Sequence, residues 1–267
     1  MGSLPLQGKV AIVTGGGRGL GRAMALGLAA AGASVAATAA RSSDEIASLA
    51  NAVAPAGSRG VIVPLVADVT REDDCHRVVA GVVERFGRLD VLVNNAGRGM
   101  MFVSPTFMTE PTKFWEVRPD VWRTIIDTNV NGPFLMSRQA VPHMIAGGGG
   151  RIINISMNAA TMTRRGFSPY GPSKAALEAE TTIWAQDLKE TGVTVNTLLP
   201  GGVTATGMVP TDVPERIRNA LLPPDVIVPP LIWLASDLSD GVTGQRIIAT
   251  EWSDAVAKKL MPHTCAE

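Results

Sequence analysis

The sequence predicts an α/β protein built on a doubly wound parallel sheet of about seven strands, with helices on both faces. Two observations carry that expectation. Short Val- and Ile-rich runs alternate with helical stretches along the 267-residue chain, and an alternation of that regularity implies right-handed βαβ units. The strand runs also lack hydrophilic alternation, which is the habit of parallel strands buried on both faces.

The elements follow in order. Residues 9–14, 34–38, 61–67, 91–94, 151–156, 193–199 and 246–249 read as strands, short and bounded by Gly, Asn or Pro. Residues 19–31, 43–53, 71–86, 119–145, 170–190 and 225–236 read as helices between them. The Gly147–Gly150 run turns a helix into a strand and is too short for a linker, so one domain over 1–267 is expected. Two stretches do not fit the alternation. Residues 98–118 are rich in Met, Phe and Trp, and residues 201–224 in Pro, Gly and Thr. Each follows a strand, and ligands of open α/β sheets bind beyond the carboxyl ends of strands. Both are therefore candidate substrate loops, walls and lids.

Composition narrows the function classes. Lys+Arg and Asp+Glu balance at 24 each with no basic stretch, which argues against nucleic acid as a partner. Cys75 and Cys265 lie far apart without metal-ligand spacing, which argues against a metal site or a disulfide framework and fits a reducing cytoplasm. The opening Met1-Gly2-Ser3-Leu4-Pro5 carries no evident signal peptide. Residues 23–40 have no charge but are mostly alanine. They suit a buried helix and strand better than a membrane span, which wants about twenty strongly apolar residues.

Thr14-Gly15-Gly16-Gly17-Arg18-Gly19-Leu20-Gly21 joins the first expected strand to the first helix. Glycines let the backbone turn tightly and approach a pyrophosphate, while a helix N-terminus offers amide donors and the positive end of its dipole. In that place the loop points to dinucleotide binding and to a Rossmann-type sheet. At the end of the second strand, NAD-selective folds carry an acid for the ribose 2′-hydroxyl. This chain has Ala39-Ala40-Arg41-Ser42 there, with no acid before Asp44. Arg41 suits a 2′-phosphate through a planar, charge-assisted pair, with Arg18 placed to help. NADP(H) is expected over NAD(H).

Tyr170 is the only tyrosine and precedes Lys174 by four residues. On a helix, such residues share a face about 5–6 Å apart. An ammonium beside a phenol favours the phenolate, so the Tyr170 pKa is expected below its reference of about 10. The pair then suits proton transfer near neutral pH.

With these residues in place, the chain resembles the classical short-chain dehydrogenases/reductases over nearly its whole length. Residues 14–21 match the family's Thr-Gly-x-x-x-Gly-x-Gly, and Asp68-Val69 is similar to the pair that contacts adenine. Asn94-Asn95-Ala96-Gly97 resembles the signature that closes the fourth strand, and Asn129 the family's helix asparagine. Ser156 follows the fifth strand, Tyr170-Gly171-Pro172-Ser173-Lys174 comes next, and Pro200-Gly201-Gly202-Val203-Thr204 resembles the Pro-Gly turn.

The resemblance implies a catalytic set. Tyr170 would exchange a proton with the substrate oxygen, Ser156 would orient that oxygen, and Lys174 would bind the nicotinamide ribose. Asn129 would hold, through its backbone, a water linking Lys174 to solvent. Cofactor contacts are implied for Gly15, Gly17, Arg18, Gly19, Leu20, Arg41, Asp68, Val69, Asn95, Ala96, Gly97, Tyr170, Lys174, Pro200, Gly201, Val203 and Thr204. No metal is implied. A homodimer or homotetramer is implied, pairing the helices at 119–145 and 170–190.

Three departures stand out. Ser156 and Tyr170 are fourteen apart, slightly more than the commonest family spacing, so a bulged loop is expected between them. The 98–118 segment is longer than usual, and Ala249-Thr250-Glu251-Trp252 replaces the usual Asp-Gly-Gly. Met157, Met162, Phe167, Met208 and Val209 are candidate pocket residues. Adaptable methionines suit a small to medium, largely apolar carbonyl or secondary alcohol.

The leading expectation is a reversible NADP(H)-dependent carbonyl reductase. One alternative is 3-oxoacyl-acyl-carrier-protein reductase, for which Arg98, Arg118, Arg123, Arg164 and Arg165 would form a docking patch. The other is a non-catalytic NADP(H)-sensing binding protein, against which the presence of all four catalytic residues argues.

Overall fold

The computed structural model describes residues 4–41, 43–51, 60–210 and 213–261. In chain order these form β1 (Val10–Val13), α1 (Gly19–Ala30), β2 (Ser34–Ala39), α2 (Ser43–Asn51), β3 (Ile62–Val66), α3 (Glu72–Phe86) and β4 (Val91–Asn94). Then come α4 (Pro119–Ile126), α5 (Gly132–Ala146), β5 (Gly150–Ile155), α6 (Ala159–Met162), α7 (Tyr170–Asp187) and β6 (Val193–Leu199). The chain ends with α8 (Glu215–Arg218), α9 (Val228–Ala235), β7 (Arg246–Ile248) and α10 (Asp254–Leu260).

The seven strands form one sheet in the order β3-β2-β1-β4-β5-β6-β7, and every pairing is parallel. The order reverses between β1 and β4, which pair in the register Ala11↔Val91, Ile12↔Leu92, Val13↔Val93. A crevice opens beyond the C-terminal ends of these two strands, where doubly wound sheets hold ligands.

β1 shows why the strands lack polar alternation. Ala11 and Val13 pack with Met24 and Leu28 of α1 and Leu231 and Leu234 of α9. Val10 and Ile12 pack with Val78 and Val82 of α3 and Met136 and Met144 of α5. Successive strand residues point to opposite faces, so a sheet covered on both faces needs both to be apolar. β3 departs from the expected double burial. Residues 62–65 are half-buried and Val66 is exposed, because this strand is an edge with a neighbour on one side only.

Several expected helices are bounded differently. The stretch at 119–145 is α4, one π-helical turn at Asp127–Asn131, and α5. The α-helical donor for the Asn129 carbonyl would be the N–H of residue 133, a proline that has none. That favours the wider turn. The helix expected over 170–190 stops at Asp187, and Glu190 then takes a φ of 72° in the left-handed region. The stretch at 225–236 begins as a 3₁₀ turn, Pro224–Ile227, and continues as α9, with Pro229 and Pro230 in its first turn.

At 43–53 the chain is helical through Asn51, and residues 52–53 lie outside the described residues, as do Ser42 and Cys265. The short helices α6, α8 and α10 were not expected from the sequence. α10 nonetheless has its signals: the Ser253 hydroxyl accepts from the Val256 N–H at 3.4 Å, Asp254 opens the helix, and Lys258 and Lys259 close it.

Candidate active site

The cofactor end is made by two loops stitched together. The Thr14 hydroxyl donates to the Val93 carbonyl at 3.2 Å and accepts from the backbone N–H groups of Asn95 and Ala96 at 3.0 Å each. Asn95 returns the contact, donating through Nδ2 to the carbonyls of Thr14 at 2.8 Å and Gly15 at 3.1 Å. The loops approach so closely that side chains are excluded. Gly15 has a φ of 64°, and a Cβ there would lie 2.9 Å from the Ala96 Cα. A Cβ on Gly21 would lie 2.1 Å from the Gly15 carbonyl oxygen. Glycine is the residue that fits both places, and the result is a narrow backbone cradle at the N-terminus of α1.

This cradle belongs to a cleft of about 590 Å³. Gly15, Gly17, Arg18, Gly19 and Leu20 line it, with Arg41, Asp68 and Val69 on the β2 and β3 side. Asn95, Ala96 and Gly97 line it from β4, and Thr206, Gly207 and Met208 reach it from the 201–224 segment.

Arg98, read from the sequence as part of a docking patch, lines this cleft instead. Burial, then the positive charge of Arg41, hold its guanidinium below its usual pKa; Asp68 opposes this and Arg18 adds to it. The Arg98 guanidinium carbon also lies 5.1 Å from the Phe102 ring centroid. The sequence signal for this role is position: Arg98 directly follows Gly97 at the switch point of the sheet. Among the cleft's charges, Arg18 pairs with Glu45 at 3.4 Å on the exposed side.

Pro200, Gly201, Val203 and Thr204 do not line this cleft. They form the turn after β6, where Gly201 has a φ of 98° and its carbonyl accepts from Asn158 Nδ2 at 2.9 Å. A Cβ on Gly201 would lie 1.9 Å from the Thr250 hydroxyl. The unusual Ala249-Thr250-Glu251-Trp252 segment thus backs the Pro-Gly turn, and Trp252 packs on Trp233 with centroids 5.0 Å apart.

Tyr170, Lys174 and Glu178 recur at helical spacing on one face of α7. Lys174 is 4% exposed and its Nζ donates to the Ile155 carbonyl at 2.7 Å. Burial pulls the lysine down to about 8, against the charge of Glu178, which raises it. Burial pushes the Tyr170 phenol up to about 12. This reverses the direction expected from the spacing. The lysine's ammonium is directed at the Ile155 carbonyl, while the ring sits in an apolar cluster with Met100, Phe107 and Phe167. At neutral pH the phenol therefore keeps its proton and the lysine its charge, which is the state that can donate.

Asn129 is fully buried and its amide is fully used. Its Oδ1 accepts from the Arg98 N–H at 2.8 Å, and its Nδ2 donates to the Arg98 carbonyl at 3.0 Å and to Ser173 Oγ at 2.9 Å. Ser173 in turn donates to the Tyr170 carbonyl at 2.7 Å. One side chain ties the exit of β4, at the cleft, to the first turn of α7.

Ser156 goes elsewhere. Its hydroxyl donates to Glu178 Oε1 at 2.6 Å, and Arg246 Nε holds both Glu178 oxygens at 3.1 Å. The structure thus brings Asn129, Tyr170 and Lys174 together but commits the Ser156 hydroxyl to a carboxylate, not to the phenol.

The expected pocket residues also divide. Met157 and Phe167 share the Tyr170 cluster, and Phe107 meets Phe167 edge-on at 5.8 Å. Met208 lies over the cofactor cleft, with its Sδ 3.3 Å from where a Gly99 Cβ would be. Met162 lines a separate pocket with Lys113, Phe114, Trp115 and Arg164, while Val209 lines a groove beside α1. Arg118, also assigned to the docking patch, pairs with Asp120 at 2.7 Å. Among the described residues, no group of three or more His, Cys, Asp or Glu side chains could hold a metal, and no helix is long and apolar enough to cross a membrane.

Known proteins are similar to this chain in sequence and fold. Residues 9–216 match the family model described as short chain dehydrogenase. A short chain dehydrogenase/reductase of Aspergillus oryzae is 35% identical over 254 residues, covering 91% of this chain and 93% of its own. A 3-oxoacyl-acyl-carrier-protein reductase of Thermotoga maritima is 32% identical over 251 residues, covering 91% and 96%. Among solved structures, a short chain dehydrogenase of Burkholderia cenocepacia in complex with NADP has a TM-score of 0.78 at 31% identity, covering 91% of this chain and 97% of that one.

Proposed function

Because the chain belongs to the short-chain dehydrogenase/reductase family of oxidoreductases, we propose that it transfers hydride between NADP(H) and a carbonyl or secondary alcohol of a small to medium, largely apolar substrate. One observation carries this reading: Asn129 fastens the glycine-lined cleft to the helix that bears Tyr170 and Lys174. The residues present fit a dinucleotide with a 2′-phosphate. The cradle at Gly15 and Gly21 admits no Cβ, and Arg18, Arg41 and Arg98 converge on one cleft. Arg41 and Arg98 would hold the 2′-phosphate, with Arg18 beside them and Asp68 and Val69 at the adenine. The turn at Pro200, Gly201, Val203 and Thr204 would face the nicotinamide.

A bound nicotinamide supplies the hydride in reduction and accepts it in oxidation. Tyr170 gives its proton to the substrate oxygen in reduction and takes it back in oxidation. Lys174, charged below about pH 8 and anchored on the Ile155 carbonyl, would hold the ribose hydroxyls of the bound cofactor. The Asn129 carbonyl, whose α-helical donor position is Pro133, accepts from a water that links Lys174 to solvent. We read residues 1–267 as one domain in which the 98–118 and 201–224 segments close over the substrate. Trp122, Phe134 and Ile183 are large, exposed and apolar on α4, α5 and α7, which supports pairing of copies into a homodimer or homotetramer. We place the enzyme in the cytoplasm, with a small molecule as its partner.

A second reading, 3-oxoacyl-acyl-carrier-protein reductase, is favoured by the Thermotoga relative and by Lys113, Arg164 and Arg165 around one exposed pocket. An NADPH-oxidation screen over apolar ketones, aldehydes and acetoacetyl-CoA separates the two. Turnover of simple carbonyls is expected. Turnover confined to the thioester moves the assignment to the second reading. No turnover anywhere, despite tight NADPH binding, refutes hydride transfer.

A further inference from the structure

We propose that the substrate oxygen is held at this site by the Tyr170 hydroxyl alone, with the Met157 side chain rather than the Ser156 hydroxyl facing it from the end of β5. The proposal rests on the reading of Tyr170 as proton donor and says what surrounds that donor.

A serine hydroxyl has one proton to give. In Ser156 that proton goes to Glu178 Oε1 at 2.6 Å, a charge-assisted bond of the stronger kind. The carboxylate is fixed in turn, since Arg246 Nε donates to both of its oxygens and Arg246 Nη2 donates to the Met157 carbonyl at 2.8 Å. Ser156 is 5% exposed, and the network runs outward from it through the Glu178 and Arg246 side chains, which are 22% and 33% exposed. It is also periodic. Two residues earlier on β5, Asn154 Nδ2 donates to Thr181 Oγ1 at 2.9 Å, and Thr181 lies three residues beyond Glu178 on α7. Asn154 and Ser156 thus serve the same face of β5, locking strand to helix.

The next side chain leaves on the other side. Met157 packs in the cluster of Met100, Phe107, Phe167 and Tyr170. A thioether accepts weakly and donates nothing, so β5 offers the substrate oxygen no second O–H. The fourteen-residue spacing of Ser156 and Tyr170 thus needs no bulge to bring the serine round: position 157, thirteen before Tyr170, is the one whose side chain joins the apolar cluster that holds the ring. With a single donor polarising the carbonyl, the enzyme is tuned to carbonyls that are already electrophilic, such as aldehydes and 1,2-diketones, over plain dialkyl ketones.

Because Tyr170 is the only tyrosine, its ionisation can be read directly. The test is phenolate absorbance near 295 nm after a stopped-flow pH jump, recorded before unfolding, in wild type, Ser156→Ala and Met157→Ser. Ser156→Ala is expected to leave the Tyr170 titration in place, and Met157→Ser to lower its midpoint by about one unit through a new hydrogen bond to the phenolate. A rise of about one unit in Ser156→Ala would show the serine donating to the phenol and overturn the proposal. So would a Met157→Ser titration that does not move. Turnover plays no part in this measurement, so its failure leaves Tyr170 as donor, and failure of the carbonyl screen leaves the titration readable.

Discussion

Asn129→Ala puts the coupling of cofactor cleft and catalytic helix to a direct test. The substitution removes three hydrogen bonds of 2.8, 3.0 and 2.9 Å from a fully buried side chain. It strands the Arg98 N–H and carbonyl and leaves Ser173 with its bond to the Tyr170 carbonyl. A made hydrogen bond contributes about 1 kcal/mol net, and a buried partner left unsatisfied costs about 1–3 kcal/mol. Arg98 is partly exposed, so water recovers some of this, and the expected loss is about 3–5 kcal/mol. For a domain of this size about 2–3 °C accompanies each kcal/mol, so Tm should fall by about 6–15 °C. Scanning calorimetry without and with saturating NADPH is the assay. The variant should also gain less from NADPH than wild type, because α7 is no longer fastened to the cleft. A fall of less than about 2 °C, with full NADPH stabilisation, would refute the scaffold role.

Two further outcomes are expected. Arg98→Ala should weaken NADPH more than NADH by about 10–150-fold, the equivalent of one charge-assisted bond of about 1.5–3 kcal/mol; equal losses in fluorescence titrations with the two cofactors would place Arg98 away from the phosphate. In the pH profile, kcat/KM for reduction should be level from about pH 6 to 7.5 and fall about tenfold per unit above about pH 8, since Lys174 is lowered to about 8 and loses its proton there. A profile level to pH 9.5 would contradict the role given to its charge.

The glycine loop was legible because it is a backbone requirement written as residue types. Gly15 and Gly21 are demanded by contacts of 2.9 and 2.1 Å, and both stand in the motif. What escaped the sequence depended on direction and burial. Ser156 and Met157 are neighbours at a strand end, and which one faces the phenol is a matter of one-residue register. The i, i+4 spacing of Tyr170 and Lys174 gave proximity but not desolvation, and desolvation set the direction of the phenol's shift. Arg98 was visible as a charge next to Gly97, and the Asn129 side chain, bonded to both its backbone N–H and its carbonyl, fixes it at the cleft. The break in the 119–145 helix was readable in principle, from Pro133 four residues after Asn129.

On the proposed function, the Tyr170 hydroxyl is the proton donor beside bound NADPH. Tyr170→Phe keeps the ring in its apolar cluster and removes that proton. The measurement is turnover of the best carbonyl from the screen, paired with the NADPH dissociation constant of the same protein. Turnover should fall by about 10²–10⁴-fold, the range a general acid supplies, while NADPH binding changes by less than about twofold. A phenylalanine variant that turns over at the wild-type rate would contradict it.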